Sequence, residues 1–324
     1  MKSSRKILAG AILATALSFV SGARAFQQAA PETPKTTGQG QTTGQGTTTG
    51  QGTTTGQGTT TGRGTTTGPG AATPQPPKPS PDEVNGLSAI QNELDPDRQI
   101  QLAEDFQKKF PESLLLGWIY FFEGNAYQQK NQADKVTEYH KKAIENFDKG
   151  LKADGNNLSN LLIAASLMPQ PGYLPQGEME KAKQLTDAEG YATHALELLD
   201  QLQKQGTETD DDLKKRKDDY QRKMHGSLAM IHLERATMGL GGMDPQELAK
   251  AESEYKLAVD GADKPNPEYV FRLGEVYMHE NKADQAIDTL TKAETLEPGY
   301  KAFADPKIEQ LKKQKGATKP AGTP

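Results

Sequence analysis

The sequence has no cysteine, one tryptophan and only 6 % aromatic residues in 324. Without a thiol there can be no disulfide staple, thiolate metal site, cysteine nucleophile or lipid-modified cysteine. The fold is therefore left to burial, and apolar material is scarce too. Apolar residues make up 34 % of the chain and the mean hydropathy is −0.76. A chain long enough for two average domains must then contain a part that buries no core. Catalytic signatures are also missing. The histidines (His140, His194, His225, His232, His279) are scattered, and no HExxH, GxSxG or phosphate-cradling glycine loop occurs. Gly239-Leu240-Gly241-Gly242 follows an expected helix and not a strand, so it is no substitute. Neither catalysis nor a bound cofactor or metal is expected.

What is present begins with a basic start (Lys2, Arg5, Lys6), an apolar run from Ile7 to Val20, and a close at SGARA. These are the three regions of a secretory signal, with small residues at Ala23 and Ala25 for the peptidase. The alternative is an amphipathic or membrane-anchoring helix, but about 14 apolar residues fall short of the ~20 that span a bilayer. Residues 1–25 are thus expected to be a signal peptide, and the mature protein to be exported, periplasmic or extracellular. Cleavage removes four basic residues and no acidic one, moving the formal charge from −5 to −9. So acidic a chain has no basic excess to replace phosphate counterions, and nucleic acid is not an expected partner. No integral membrane segment is expected after cleavage. The run LLLGWIYFF at 114–122 is too short to cross a bilayer and reads as buried helix.

Residues 26–80 change character abruptly. A TTTGQG period of six gives way to TPQPPKPSP, with almost nothing apolar to bury and many glycines that are entropically expensive to order. This reads as a disordered linker with an r.m.s. span of about 40 Å. A spacer through a cell-wall layer, a threonine-rich glycosylation target, and a slippage tract with no specific role all fit it.

From 81 to 315 the pattern is helical, punctuated by Gly, Pro and Asn. A segment at 97–109 opens a run of paired helices: 112–130 with 133–153, 158–168 with 178–204, 210–238 with 245–260, and 267–280 with 282–296. A short closing helix follows at 306–315, and residues 316–324 read as a disordered tail.

The last pair carries a recognisable spacing: Val270, Leu273-Gly274, Tyr277, Ala286, Leu290, Ala293 and Pro298. Counted from Pro267, it resembles the 34-residue signature of the tetratricopeptide repeat at every one of its marked positions. Gly274 and Ala286 would let two antiparallel helices touch, while Leu273, Tyr277 and Leu290 fill the gaps alongside. Pro298 would stop the second helix. Elsewhere the match is partial. Ala251, Tyr255 and Ala258, and likewise Ala188, Ala192 and Ala195, keep second-helix spacing, and Gly124, Tyr127 and Ala143 echo Gly274, Tyr277 and Ala293. Val136 and His140 stand where Ala286 and Leu290 stand in the last copy. The loops at 168–178 and 238–245 lengthen two hairpins.

The resemblance implies an all-α fold: helical-hairpin repeats stacked as a right-handed solenoid behind the linker. It also implies a scaffold that binds a protein or peptide on its concave face. A structural component of a cell-envelope assembly, or an accessory domain of a polysaccharide-handling system, are the alternatives. In the family, the second, fifth, ninth and twelfth positions of each first helix line that face. Here these are Trp118, Phe121, Asn125 and Gln128; Tyr220, Lys223, Ser227 and Met230; and Glu268, Phe271, Glu275 and Met278. The lysine–asparagine clamp for a terminal carboxylate is largely absent from them, so an internal segment is the expected ligand. On that reading Trp118 stays partly accessible; alternatively Trp118 and Phe121 pack against the neighbouring hairpin. Two further clusters have two readings each. Met224, His225, Met230, His232, Met238 and Met243 offer soft ligands for Cu(I), or core filling around Gly226 and Ala229. The charged run at 207–223 is a docking surface, or a solvated helix face.

Overall fold

The computed structural model describes residues 78–238 and 242–317, so the expected signal segment and nearly all of the linker lie outside it. Among the described residues all regular structure is helical. The helices are α1 (Pro81–Asn92), α2 (Pro96–Lys109), α3 (Leu116–Gln129), α4 (Ala133–Ala153), α5 (Leu158–Leu167), α6 (Glu178–Leu199), α7 (Asp210–Ala236), α8 (Pro245–Val259), α9 (Pro267–His279), α10 (Ala283–Leu296) and α11 (Lys301–Ala317). Each packs against its neighbours in sequence, and the four expected pairs, α3–α4, α5–α6, α7–α8 and α9–α10, are all formed. None of these helices is long and apolar enough to cross a membrane.

Two apolar clusters hold the stack. The first runs from Leu87 and Ile90 through Trp118, Phe121 and Phe147 to Ala188 and Ala195, and the second from Leu248 through Tyr255 and Leu290 to Ile308 and Leu311. Helix α7 joins them: Met224, Leu228 and Ile231 face the first, and Ala229, Leu233 and Ala236 the second. Its first half is the charged run, mostly exposed or half-exposed, and starts on a capping box between Thr209 and Asp212.

Both ends of the stack depart from the sequence expectation. Helix α1 precedes the first expected helix and starts on a capping box at Ser80-Pro81-Asp82-Glu83. There Glu83 Oε2 accepts from the Ser80 amide at 2.6 Å, and Ser80 Oγ from the Glu83 amide at 3.3 Å. The closing helix starts not at Pro306 but at Lys301, directly after a 3-10 turn at Pro298–Tyr300, and it runs on to Ala317, into the expected tail. Pro306 sits inside it and forfeits one backbone bond. The helix persists because Tyr300, Ala304, Ile308 and Leu311, at helical spacing, are all buried. Tertiary burial outweighs the local break.

Hairpins α3–α4 and α9–α10 are copies in backbone as well as sequence. Both turn through a left-handed asparagine, Asn131 at φ 56° and Asn281 at φ 59°. In each, the amide after the asparagine reaches back five residues: Gln132 to the Tyr127 carbonyl (3.0 Å), Lys282 to that of Tyr277 (2.9 Å). This is a Schellman closure with Asn in the place usually taken by Gly. The glycines seven residues before these asparagines sit at the helix contacts. A Cβ on Gly274 would lie 2.8 Å from Leu290 Cγ, and one on Gly124 2.3 Å from His140 Cδ2. Gly274→Leu should therefore destabilise the fold by about 1–3 kcal/mol through overpacking. Thermal melting of the variant checks this, and a melting curve matching the parent's contradicts the pairing.

Candidate functional site

The first helices touch one another as well as their partners: α1 meets α3, α5 meets α7 and α7 meets α9. No two second helices pack as closely among the described residues. The twelve candidate residues lie on α3, α7 and α9, on this first-helix side of the stack, but most of them are not open to solvent.

Trp118 is 4 % exposed, so the expectation that it stays partly accessible is not met. Its Nε1–H donates to Asn160 Oδ1 on α5 at 3.0 Å, and its ring meets Phe147 of α4 edge-on at 5.4 Å. It is a joint between hairpins. Phe121 is buried as well, and its ring stacks on His140 at 5.7 Å. Asn125 is half-buried and accepts, through Oδ1, from His140 Nε2 at 3.1 Å; Gln128 is buried beyond it. With Nε2 holding the proton, His140 Nδ1 is the acceptor for the Tyr173 hydroxyl, 2.6 Å away. Burial holds the imidazole well below its ordinary value, at about 4, so it is neutral near pH 7.

Tyr173 is the residue the sequence reading did not single out. It belongs to the loop between α5 and α6, and it is buried together with Leu174 and Pro169. Its ring stands edge-on to His140 at 5.3 Å. Its hydroxyl pKa is pushed up by burial first, and then by the negative charge of Glu268 on α9. Three candidate positions thus converge on one tyrosine: Phe121 and Asn125 through His140, and Glu268 through its field.

A second tyrosine does the same at the other end of the stack. Tyr300, in the 3-10 turn, lies against Phe271 at 5.2 Å, and Lys307 of α11 pairs with Glu275 at 3.1 Å. Glu275 also pairs with Arg272 at 2.9 Å, and Met278 is partly buried against the second core. Burial raises the Tyr300 hydroxyl pKa, with Glu268 again adding to the rise. Both tyrosines end a Pro-Gly-Tyr triplet, 171–173 and 298–300. That duplication is the signal in the sequence. In the middle quartet, Tyr220 and Lys223 are half-buried, the ammonium 5.8 Å from the ring centre, whereas Ser227 and Met230 are buried. Burial lowers the Lys223 pKa.

The methionine–histidine cluster divides: Met243 is exposed and Met238 partly buried, while the rest lies in or beside the core. Met224 and Met230 are buried, His225 Nδ1 lies 2.7 Å from Glu254, and His232 Nδ1 lies 2.7 Å from Glu247, both on α8. Among the described residues no group of three or more His, Asp or Glu side chains is arranged to hold a metal ion.

No family model and no curated protein matches this chain. Among solved structures, a thermophilic tetratricopeptide-repeat protein of Thermus thermophilus is similar to it, at 16 % identity and a TM-score of 0.39. The alignment covers 71 % of this chain and 98 % of that one. So low a TM-score carries no argument, and the fold stands on the helix pairing itself.

Beside the site, Glu123 of α3 is fully buried, its Oε2 accepting from Gln107 Nε2 of α2 at 2.6 Å. Burial pushes this carboxyl from an ordinary value of 4.5 up to about 7, and nearby Glu104 adds to the rise. Gln107, the Tyr139 hydroxyl and Lys142 oppose it. Between about pH 4.5 and 7 the folded state then holds more protons here than the unfolded state, so this group's contribution falls as pH rises. His140 acts the other way: folding lowers its proton affinity, so its contribution is lost as pH falls from about 6.5 to about 4. Glu123→Gln removes the first slope alone. Relative to the parent, the variant should gain about 1–3 kcal/mol of stability between pH 5 and pH 8. Denaturant unfolding at the two pH values measures this, and an offset independent of pH contradicts it.

Proposed function

We propose that this chain is a non-catalytic scaffold that holds an internal segment of a protein partner on the face built by its first helices. The observation that carries the reading is the direct packing of successive first helices. Where it occurs, α5 on α7 and α7 on α9, it brings side chains from successive hairpins onto one face, the arrangement by which helical repeats offer extended binding surfaces. The half-buried Tyr220 and Met278 there supply contact area, and the half-buried Lys223 and Glu275 supply register. We further propose that the scaffold works outside the cytoplasm on a long tether. Support for that part comes from the composition of residues 1–25 and 26–80 alone.

A pull-down of the full chain under mild detergent, from the envelope and the medium, tests both parts. The recovered chain should begin at Phe26 and bring a protein partner with it. Tyr220→Ala with Met278→Ala should weaken that capture by about 1 kcal/mol or more while leaving helicity intact. Equal capture by parent and variant would remove the first-helix face from the account. Glycan binding with little protein recovered would favour the polysaccharide-handling alternative.

A further inference from the structure

The α1–α2 pair is one end of the stack. Its two helices pack on each other and on α3, and among the described residues neither meets a further helix as closely. The apolar side chains it buries are few: Leu87 and Ile90 from α1, and Ile100, Ala103 and Phe106 from α2. In a helical repeat such an end unit loosens at least cost, because it has one neighbour interface to give up. That interface contains an ionisable group. Glu123 stands directly before Gly124, the place that Leu273 holds before Gly274, and both are buried. A carboxyl thus occupies a position that the matching hairpin fills with an apolar side chain. Its Oε2 accepts from Gln107 Nε2 of α2 at 2.6 Å, so its partner across the interface is a neutral amide and not a cation.

The charges around Glu123 come from each helix packed on α3. On α4, Lys142 favours the ionised form, as does the Tyr139 hydroxyl. That ammonium lies 4.4 Å from the centre of the Tyr139 ring, on which Tyr127 of α3 stacks at 5.1 Å. Lys135, also on α4, is exposed and paired with Glu138 at 3.0 Å. On α2, exposed Glu104 opposes ionisation and lies 4.0 Å from Lys108. The acids of α1 are taken up elsewhere, Asp82 by Lys109 at 3.4 Å and Glu83 by the Ser80 cap.

We propose that Glu123 is a proton-operated latch between the end pair and the rest of the stack. Protonated, it fits the buried interface and holds α1–α2 on α3; ionised, it leaves a carboxylate there without an opposite charge bonded to it, and the pair loosens. Because residues 26–80 lead directly into α1, the latch also decides how firmly that segment is joined to the repeats. The inference stands independently of the scaffold reading. Its sign follows from burial, which raises the carboxyl to about 7. The stabilisation is complete below about pH 4.5 and is lost as pH rises through about 7.

Hydrogen exchange of the full chain, read by mass spectrometry at pH 6 and pH 8.5 and corrected for the intrinsic exchange rate, tests the latch. Residues 81–109 should exchange well before α8 to α10 at both pH values, and their protection should fall about tenfold from the lower pH to the higher. In Glu123→Gln that fall should disappear. Exchange of 81–109 only together with α8 to α10 would show that the pair opens with global unfolding alone, and would overturn the proposal. Protection that is the same at both pH values, or a fall that persists in Glu123→Gln, would overturn it too. If Glu123→Gln does not fold, the exposed Glu104→Gln decides. Removing that charge eases ionisation of Glu123, so the fall should begin at lower pH than in the parent; a fall that stays in place or moves up contradicts the latch.

Discussion

The stack depends on helices approaching each other at residues that have no side chain. Gly86 receives Phe106, Gly117 receives Phe147, Gly124 receives His140, Gly226 receives Tyr269 and Gly274 receives Leu290; in all five a Cβ would lie 2.8 Å or less from the incoming ring or side chain. A glycine inside a helix loses about 1 kcal/mol relative to alanine, so each of these is locally unfavourable. The return is a large side chain lodged against bare backbone, with its dispersion contacts made on all sides. For a chain with no disulfides and little apolar material, these lodgements do what a larger core does elsewhere.

The same constraint makes the site. At Gly274 the incoming group is Leu290 and the contact is apolar and closed. At Gly124 it is His140, in the same register, and the pocket acquires two polar nitrogens. One nitrogen is satisfied by Asn125 within the hairpin and the other by Tyr173 from the next loop. A histidine in place of the leucine thus turns a packing position into a point of attachment, and burial keeps the imidazole neutral so that it can accept. The equivalent position at the far end of the stack stays apolar, and there the inserted tyrosine lies on Phe271.

Helix existence and pairing were legible because Gly, Pro and Asn mark the boundaries and because small residues recur at fixed offsets from one another. Gly124, Tyr127 and Ala143 against Gly274, Tyr277 and Ala293 were enough to align two hairpins whose turns prove to share one backbone. Less visible was α1, which buries only two residues, Leu87 and Ile90. The start of α11 was hidden behind Pro306, since a local rule was outweighed by burial that only the assembled fold reveals. Which face of α3 is open was not legible at all. Positions two, five, nine and twelve follow from the repeat, but occupancy by Tyr173 depends on a loop that the repeat does not contain. Trp118 has the composition of a binding residue and the environment of a core residue, and the Asn160 partner that decides between them lies 42 positions away.

The central claim is that bare backbone at the glycines is what the opposing side chains require. A double-mutant cycle on Gly274→Ala and Leu290→Ala, measured by denaturant unfolding, tests it most directly. If the two groups exclude each other sterically, Gly274→Ala destabilises the parent but is relieved once Leu290 is truncated. The double variant is then more stable than the sum of the singles by on the order of 1 kcal/mol. Additivity within about 0.5 kcal/mol, or a Gly274→Ala variant that is simply more stable through its better helix propensity, would contradict the account.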